Sequence, residues 1–144
     1  MEKIKKILIG THNEGKFREI SSLLPKNIEK ISPKSLNIES PVEDGKTFVE
    51  NSQIKAEFFC KKSNLITLSD DSGLEINYLN GEPGIFSSRW SEKFGSFDNA
   101  MTEILKKMSP ENKDTSAQFV CSLTIQWPDG NKFTETGIIK GNIS

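Results

Sequence analysis

The beginning of the chain constrains its fold most, because a short apolar run passes through a small loop straight into a helical pattern. Ile4 to Gly10 is apolar, β-branched and broken by glycine, which predicts a buried strand. From Lys16 the period changes: Phe17, Ile20, Leu23 and Leu24 recur three and four apart, as one face of a helix that Pro25 ends. Thr47-Phe48-Val49-Glu50 is a capping box and opens a second helix expected to reach about Lys62. Leu65 to Ser69 reads as a strand, followed by the polar break Asp70-Asp71-Ser72-Gly73 and an alternating segment through Leu74, Ile76 and Tyr78 to a turn at Asn80-Gly81. A further helix is expected over Phe97, Met101, Ile104, Leu105 and Met108. After it comes a strand with Phe119, Cys121, Leu123, Ile125 and Trp127 on one face, then a last strand over Phe133 to Ile143. This order predicts an α/β fold, a sheet with flanking helices, in a single domain spanning residues 1–144.

Charge narrows the partners. Nineteen basic and twenty acidic residues leave a formal net charge of -1, with no electrostatic footprint for nucleic acid or an anionic membrane. Cys60 and Cys121 stand far apart, without a C-x-x-C or paired histidines, so two buried free thiols are expected rather than zinc or a disulfide framework. No stretch approaches transmembrane length, and the run Ile7-Leu8-Ile9 is too short for a signal-peptide core, so the expectation is a soluble, cytoplasmic protein.

Three places carry candidate chemistry. Gly10-Thr11-His12-Asn13-Glu14-Gly15-Lys16 joins a strand to a helix, where outward backbone amides and the helix dipole favour an anion and Lys16 adds a point charge. The loop reads equally as an ordinary strand-to-helix turn capped by Asn13 or Thr11. It approaches the G-x-x-x-x-G-K phosphate loop but has Phe17 where that motif needs Ser or Thr, which counts against a P-loop nucleotide-binding protein. Lys55 falls on the stripe of Phe48, Ser52 and Phe59, and an ammonium is not placed among apolar groups without an anion or carboxylate to meet it. The bland alternative is a stem that snorkels to water. Asp70 and Asp71 follow a strand and point to opposite faces. A carboxylate there can hold hydrated magnesium or orient water, and the same residues also suit a tight turn. Glu43, an acid in a polar loop, is weaker alone.

Taken together, these segments resemble the inosine/xanthosine triphosphate pyrophosphatase family. The matching pieces are Thr11 to Lys16 with Glu19, Glu43-x-Gly45-x-Thr47-Phe48-x-Glu50-Asn51 with Lys55-Ala56, and Asp70-Asp71-Ser72-Gly73-Leu74. They continue in Leu79-Asn80-Gly81-x-Pro83-Gly84, Ser87-x-Arg89, Phe119-x-Cys121, Gly137 and Gly141. The resemblance implies an elongated, two-lobed fold around a central mixed sheet, usually homodimeric, that hydrolyses non-standard purine nucleoside triphosphates to the monophosphate and pyrophosphate. Carried over, Thr11, His12, Asn13, Glu14, Gly15, Lys16 and Lys55 would hold the triphosphate and Ser72 would touch the substrate. Glu43 and Asp71 would bind Mg2+, with Asp71 also activating water. Ser52 stands where the family usually has alanine, and Phe86 where tyrosine is common. The family's later Phe-Gly-Tyr-Asp segment, a further lysine and a Ser-His-Arg do not occur before Ser144, so this sequence is expected to lack a C-terminal part that contacts the base. A remnant that binds triphosphate without catalysis is the alternative.

Overall fold

The first strand, β1 (Lys6–Ile9), buries Ile7, Leu8 and Ile9 almost completely, which fixes it inside a sheet rather than at an edge. This computed structural model describes residues 4–81, 83–86, 102 and 116–142. After β1 come α1 (Glu14–Leu23), β2 (Glu29–Ile31), α2 (Phe48–Ser63), β3 (Thr67–Ile76), β4 (Ser116–Gln126) and β5 (Lys132–Asn142). The five strands form one sheet in the order β2-β1-β3-β4-β5. β1 runs parallel to β2, with Leu8 opposite Ile31, and parallel to β3, with Leu8 opposite Thr67. β4 and β5 are neighbours joined by a turn closed by the Trp127 N–H to Asn131 carbonyl bond, which makes them antiparallel and the sheet mixed, as expected. The chain divides into two compact units, one of Met1–Asp71 with Ser122–Glu135 and one of Ser72–Cys121 with Thr136–Ser144.

Both described helices start where the sequence places them. Asn13 caps α1 by accepting from the Lys16 N–H, and Thr47 caps α2 by accepting from the Glu50 N–H at 3.0 Å. Glu50 reaches back to the Lys46 N–H rather than to that of Thr47, one residue earlier than a strict capping box. Asn64 and Asn80 end their turns in the left-handed region, with φ near 57° and 55°. Gly10 is a glycine for want of space, since a Cβ there would stand 2.1 Å from Ser69 Oγ and 2.7 Å from the Phe59 ring.

Four expectations need correction. Asp70-Asp71-Ser72-Gly73 is no break, because β3 continues through it to Ile76; β4 as a sheet neighbour and lysines that answer both charges outweigh the turn propensity of these residues. β2 was not foreseen, since three residues are too few to show a period. The stripe on α1 is not buried: the helix has no buried residue and Leu23 is 82% exposed. On β4 the buried face is Val120, Ser122, Thr124 and Gln126, while Phe119 and Leu123 are exposed and Cys121 only half-buried. The helix expected over 97–108 lies outside the described residues.

A relay of hydroxyls accounts for the polar inner face of β4. Ser52 on α2 donates to the Val49 carbonyl, 2.9 Å away, and lies 2.8 Å from Thr124 Oγ, which in turn lies 2.8 Å from Thr134 Oγ. A carbonyl can only accept, so the direction is set throughout: Gln53 Nε2 donates to Thr134, Thr134 to Thr124, and Thr124 to Ser52. Ser52 thus has work that alanine could not do. Thr124→Val should lower stability by about 1–2 kcal/mol, seen as a fall of several degrees in Tm. Ser52→Ala added to it should cost less than the same change in the unmodified protein.

Candidate active site

The chemistry gathers around the middle of β3. Asp70 and Asp71 are both buried, and their side chains leave the strand in opposite directions toward different lysines. Asp70 Oδ2 lies 3.1 Å from the ammonium of Lys16, in the first turn of α1. Asp71 Oδ1 lies 3.9 Å from the ammonium of Lys55, which also stands 3.2 Å from Glu43 Oε1. Lys55 is therefore turned inward against carboxylates, as its place on an apolar stripe required, and does not snorkel; its side chain is only 12% exposed.

Glu43 comes from an irregular segment that α2 holds in place. Gly45 donates its N–H to Asn51 Oδ1 at 2.8 Å, and a Cβ on Gly45 would stand 2.6 Å from that oxygen, so only glycine brings the loop this close. Asn51 lies one helical turn before Lys55, so the two share a face of α2. The Asp71 carboxyl is raised to about 6, chiefly by burial and to a lesser degree by the charge of Glu43, against the opposing pull of Lys55, Asn51 and Lys16. Asp71 Oδ2 is buried and has no hydrogen-bond partner among the described residues.

The loop after β1 is laid out as a cradle. Asn13 N–H donates to Thr11 Oγ at 3.1 Å and Lys16 N–H to Asn13 Oδ1 at 3.0 Å, so the loop curls before α1 begins at Glu14. His12 is exposed, its ring 6.0 Å from that of Phe59, and belongs to no metal-type cluster among the described residues. Thr11, His12, Asn13 and Glu14 line a cavity of about 310 Å³ together with Phe17, Arg18, Ser32 and Lys34. Lys16, Glu43, Lys55, Asp70 and Asp71 thus meet within the first unit, and Ser72 opens the second. Asn51, which sequence reading did not single out, is the residue that ties the Glu43 segment to α2; the available signal was its spacing of four from Lys55.

A model of the Ham1 family matches residues 7–144. A dITP/XTP pyrophosphatase of Zymomonas mobilis is 39% identical over 141 residues, covering 96% of this chain and 68% of the relative. One of Rhodopseudomonas palustris is 41% identical over 133 residues, covering 88% of this chain and 62% of the relative. The chain thus spans about two thirds of their length. Among solved structures, a HAM1 protein from Coxiella burnetii superposes with a TM-score of 0.87 at 31% identity, over 98% of this chain and 74% of that one.

The raised carboxyl of Asp71 sets a pH dependence of stability. Between the ordinary carboxylate value and about 6, the folded protein keeps a proton that the unfolded chain has released, so stability from this group falls as pH rises through that window. Asp71→Asn removes the effect. Without metal ions, the variant should melt close to the unmodified protein at pH 4 and several degrees above it at pH 7.5, a gain of at most about 3 kcal/mol. An equal difference at both values would show that Asp71 does not titrate in this range.

Proposed function

Because this chain belongs to the Ham1 family, we infer that it is a nucleoside triphosphate pyrophosphatase whose substrates are non-standard purine nucleotides such as dITP and XTP. The observation that carries this reading is a buried carboxyl tuned to about 6 beside two lysines and a phosphate-type loop. At neutral pH such a group is mostly ionised yet still basic enough to take a proton from water. Asp71 acts as the base on the attacking water, the anhydride between the α- and β-phosphates breaks, and the nucleoside monophosphate and pyrophosphate result. Backbone amides of Thr11 to Gly15 and the ammonium groups of Lys16 and Lys55 hold the phosphates and offset their charge. Ser72, next along β3, touches the substrate.

A divalent cation fits the same residues. Magnesium accepts one or two carboxylates and keeps the rest of its shell for water and phosphate oxygens. Glu43 and Asp71 would supply the two carboxylates, and the Oδ2 of Asp71, without a hydrogen-bond partner among the described residues, is an acceptor suited to such a ligand. When bound, the ion withdraws charge from the phosphates and makes water more acidic. Working as a homodimer in the cytoplasm belongs to the same reading; no helix among the described residues is long and apolar enough to cross a membrane.

The test is pyrophosphate release from dITP with magnesium present. Asp71→Asn should lower kcat at least about 100-fold, whereas Asp70→Asn should leave kcat within about twofold. Equal losses, or a larger one at position 70, would overturn the assignment of the base. Release of orthophosphate instead of pyrophosphate would overturn the reaction class.

A further inference from the structure

Asp70 has no role in the chemistry above, yet a carboxylate this deep in a sheet costs several kcal/mol unless a cation answers it. Its side chain is 6% exposed, against 33% for Lys16, whose ammonium lies 3.1 Å from Oδ2. The anchor is therefore on the buried strand and the held group is at the rim. Lys16 is fixed at its other end too, since its N–H donates to the Asn13 side chain that caps α1.

A lysine with an exposed stem would sample many rotamers, and ordering it on a ligand would cost up to about 2 kcal/mol. Here a carboxylate that cannot move holds the ammonium before any ligand arrives. The ammonium carries three N–H donors and turns only one side to Oδ2, which leaves donors for an anion on the other. We propose that Asp70 is a positioning residue: it orients Lys16 toward the loop Thr11–Gly15, so that the loop amides and the ammonium form one preorganised anion site. The proposal rests on the reading of Lys16 as a phosphate ligand. It separates the two adjacent carboxylates by function, with Asp71 serving turnover and Asp70 serving affinity through another side chain.

The alternatives differ in sign. A purely structural counterion would change melting and leave affinity alone. A carboxylate that competes with the ligand for Lys16 would weaken binding, and its removal would tighten it.

The test uses tripolyphosphate as a base-free probe, by calorimetry, alongside dITP kinetics. Asp70→Asn keeps the size and hydrogen bonding of the side chain and removes the charge. It should raise both the Kd for tripolyphosphate and the KM for dITP about tenfold while kcat stays within about twofold. Asp70→Glu, which restores the carboxylate, should recover most of the loss at 25 °C. Lys16→Met should weaken binding at least as much, and the double variant should be no worse than Lys16→Met alone, because both remove one device. Unchanged or tighter binding in Asp70→Asn, or losses that add in the double variant, would overturn the positioning role. If Lys16→Met itself bound tripolyphosphate normally, the reading of Lys16 would fail instead. Should Asp70→Asn melt early with normal Kd, Asp70 is a structural counterion and the proposal is wrong.

Discussion

Two carboxylates on consecutive residues of a buried strand form the constraint that organises this site. Neighbouring positions on extended backbone face opposite ways, so each carboxylate takes a different lysine as its nearest cation. The fold brings one lysine from each of its two described helices, Lys16 to Asp70 and Lys55 to Asp71. Each pairing draws its helix toward the middle of β3. Charge balance and the placement of phosphate-binding groups are thus met by the same side chains. The two pairs are unequal in one respect. Lys55 divides its charge between Asp71 and the half-exposed Glu43 and stands farther from Asp71, which leaves burial to dominate the titration of that carboxyl.

Local close approach then holds these partners in register. Gly10 lets Phe59 and Ser69 come against the end of β1, and Ser69 donates to the Gly10 carbonyl at 3.1 Å. Gly45 does the same for the segment carrying Glu43, through its bond to Asn51. α2 therefore supplies Lys55 and Asn51 directly and Glu43 by tether. Adding a methyl group at either glycine would push on a side chain that fixes the site rather than on open space.

Much of this was legible in the sequence where a local rule applied. The strand–loop–helix opening, both N-caps, the turn at Asn80-Gly81 and the carboxylate-paired Lys55 follow from periodicity, capping chemistry, turn propensity and the cost of an unpaired charge. Family resemblance singled out Asp71, Glu43 and Lys16, which spacing alone left open. Tertiary context decided the rest. Asp-Asp-Ser-Gly has every local reason to turn, and stays in the strand where a neighbouring strand and lysines distant in sequence meet it. The inner face of β4 misled for a similar reason. Alternation located the strand, but which face is buried depends on a helix whose Ser52 needs a hydroxyl opposite. Asn51 escaped notice because an amide on a helix looks unremarkable until a glycine and a carboxylate are seen beside it.

The inverted burial of β4 bears on how uniquely the sheet is specified. By hydrophobicity alone, a shift of one residue would be attractive, because it would turn Phe119, Cys121, Leu123 and Ile125 inward and send Ser122, Thr124 and Gln126 to water. The observed pairing is favoured by the turn closed between Trp127 and Asn131, by the burial of Val120, and by hydrogen bonds that run in a single direction from Gln53 to Val49 and that a slipped strand could not complete. The relay thus acts as a register key as well as a source of stability, because it is complete only in the native alignment. A chain without it would keep its apolar content and lose part of the information that says which way β4 should face.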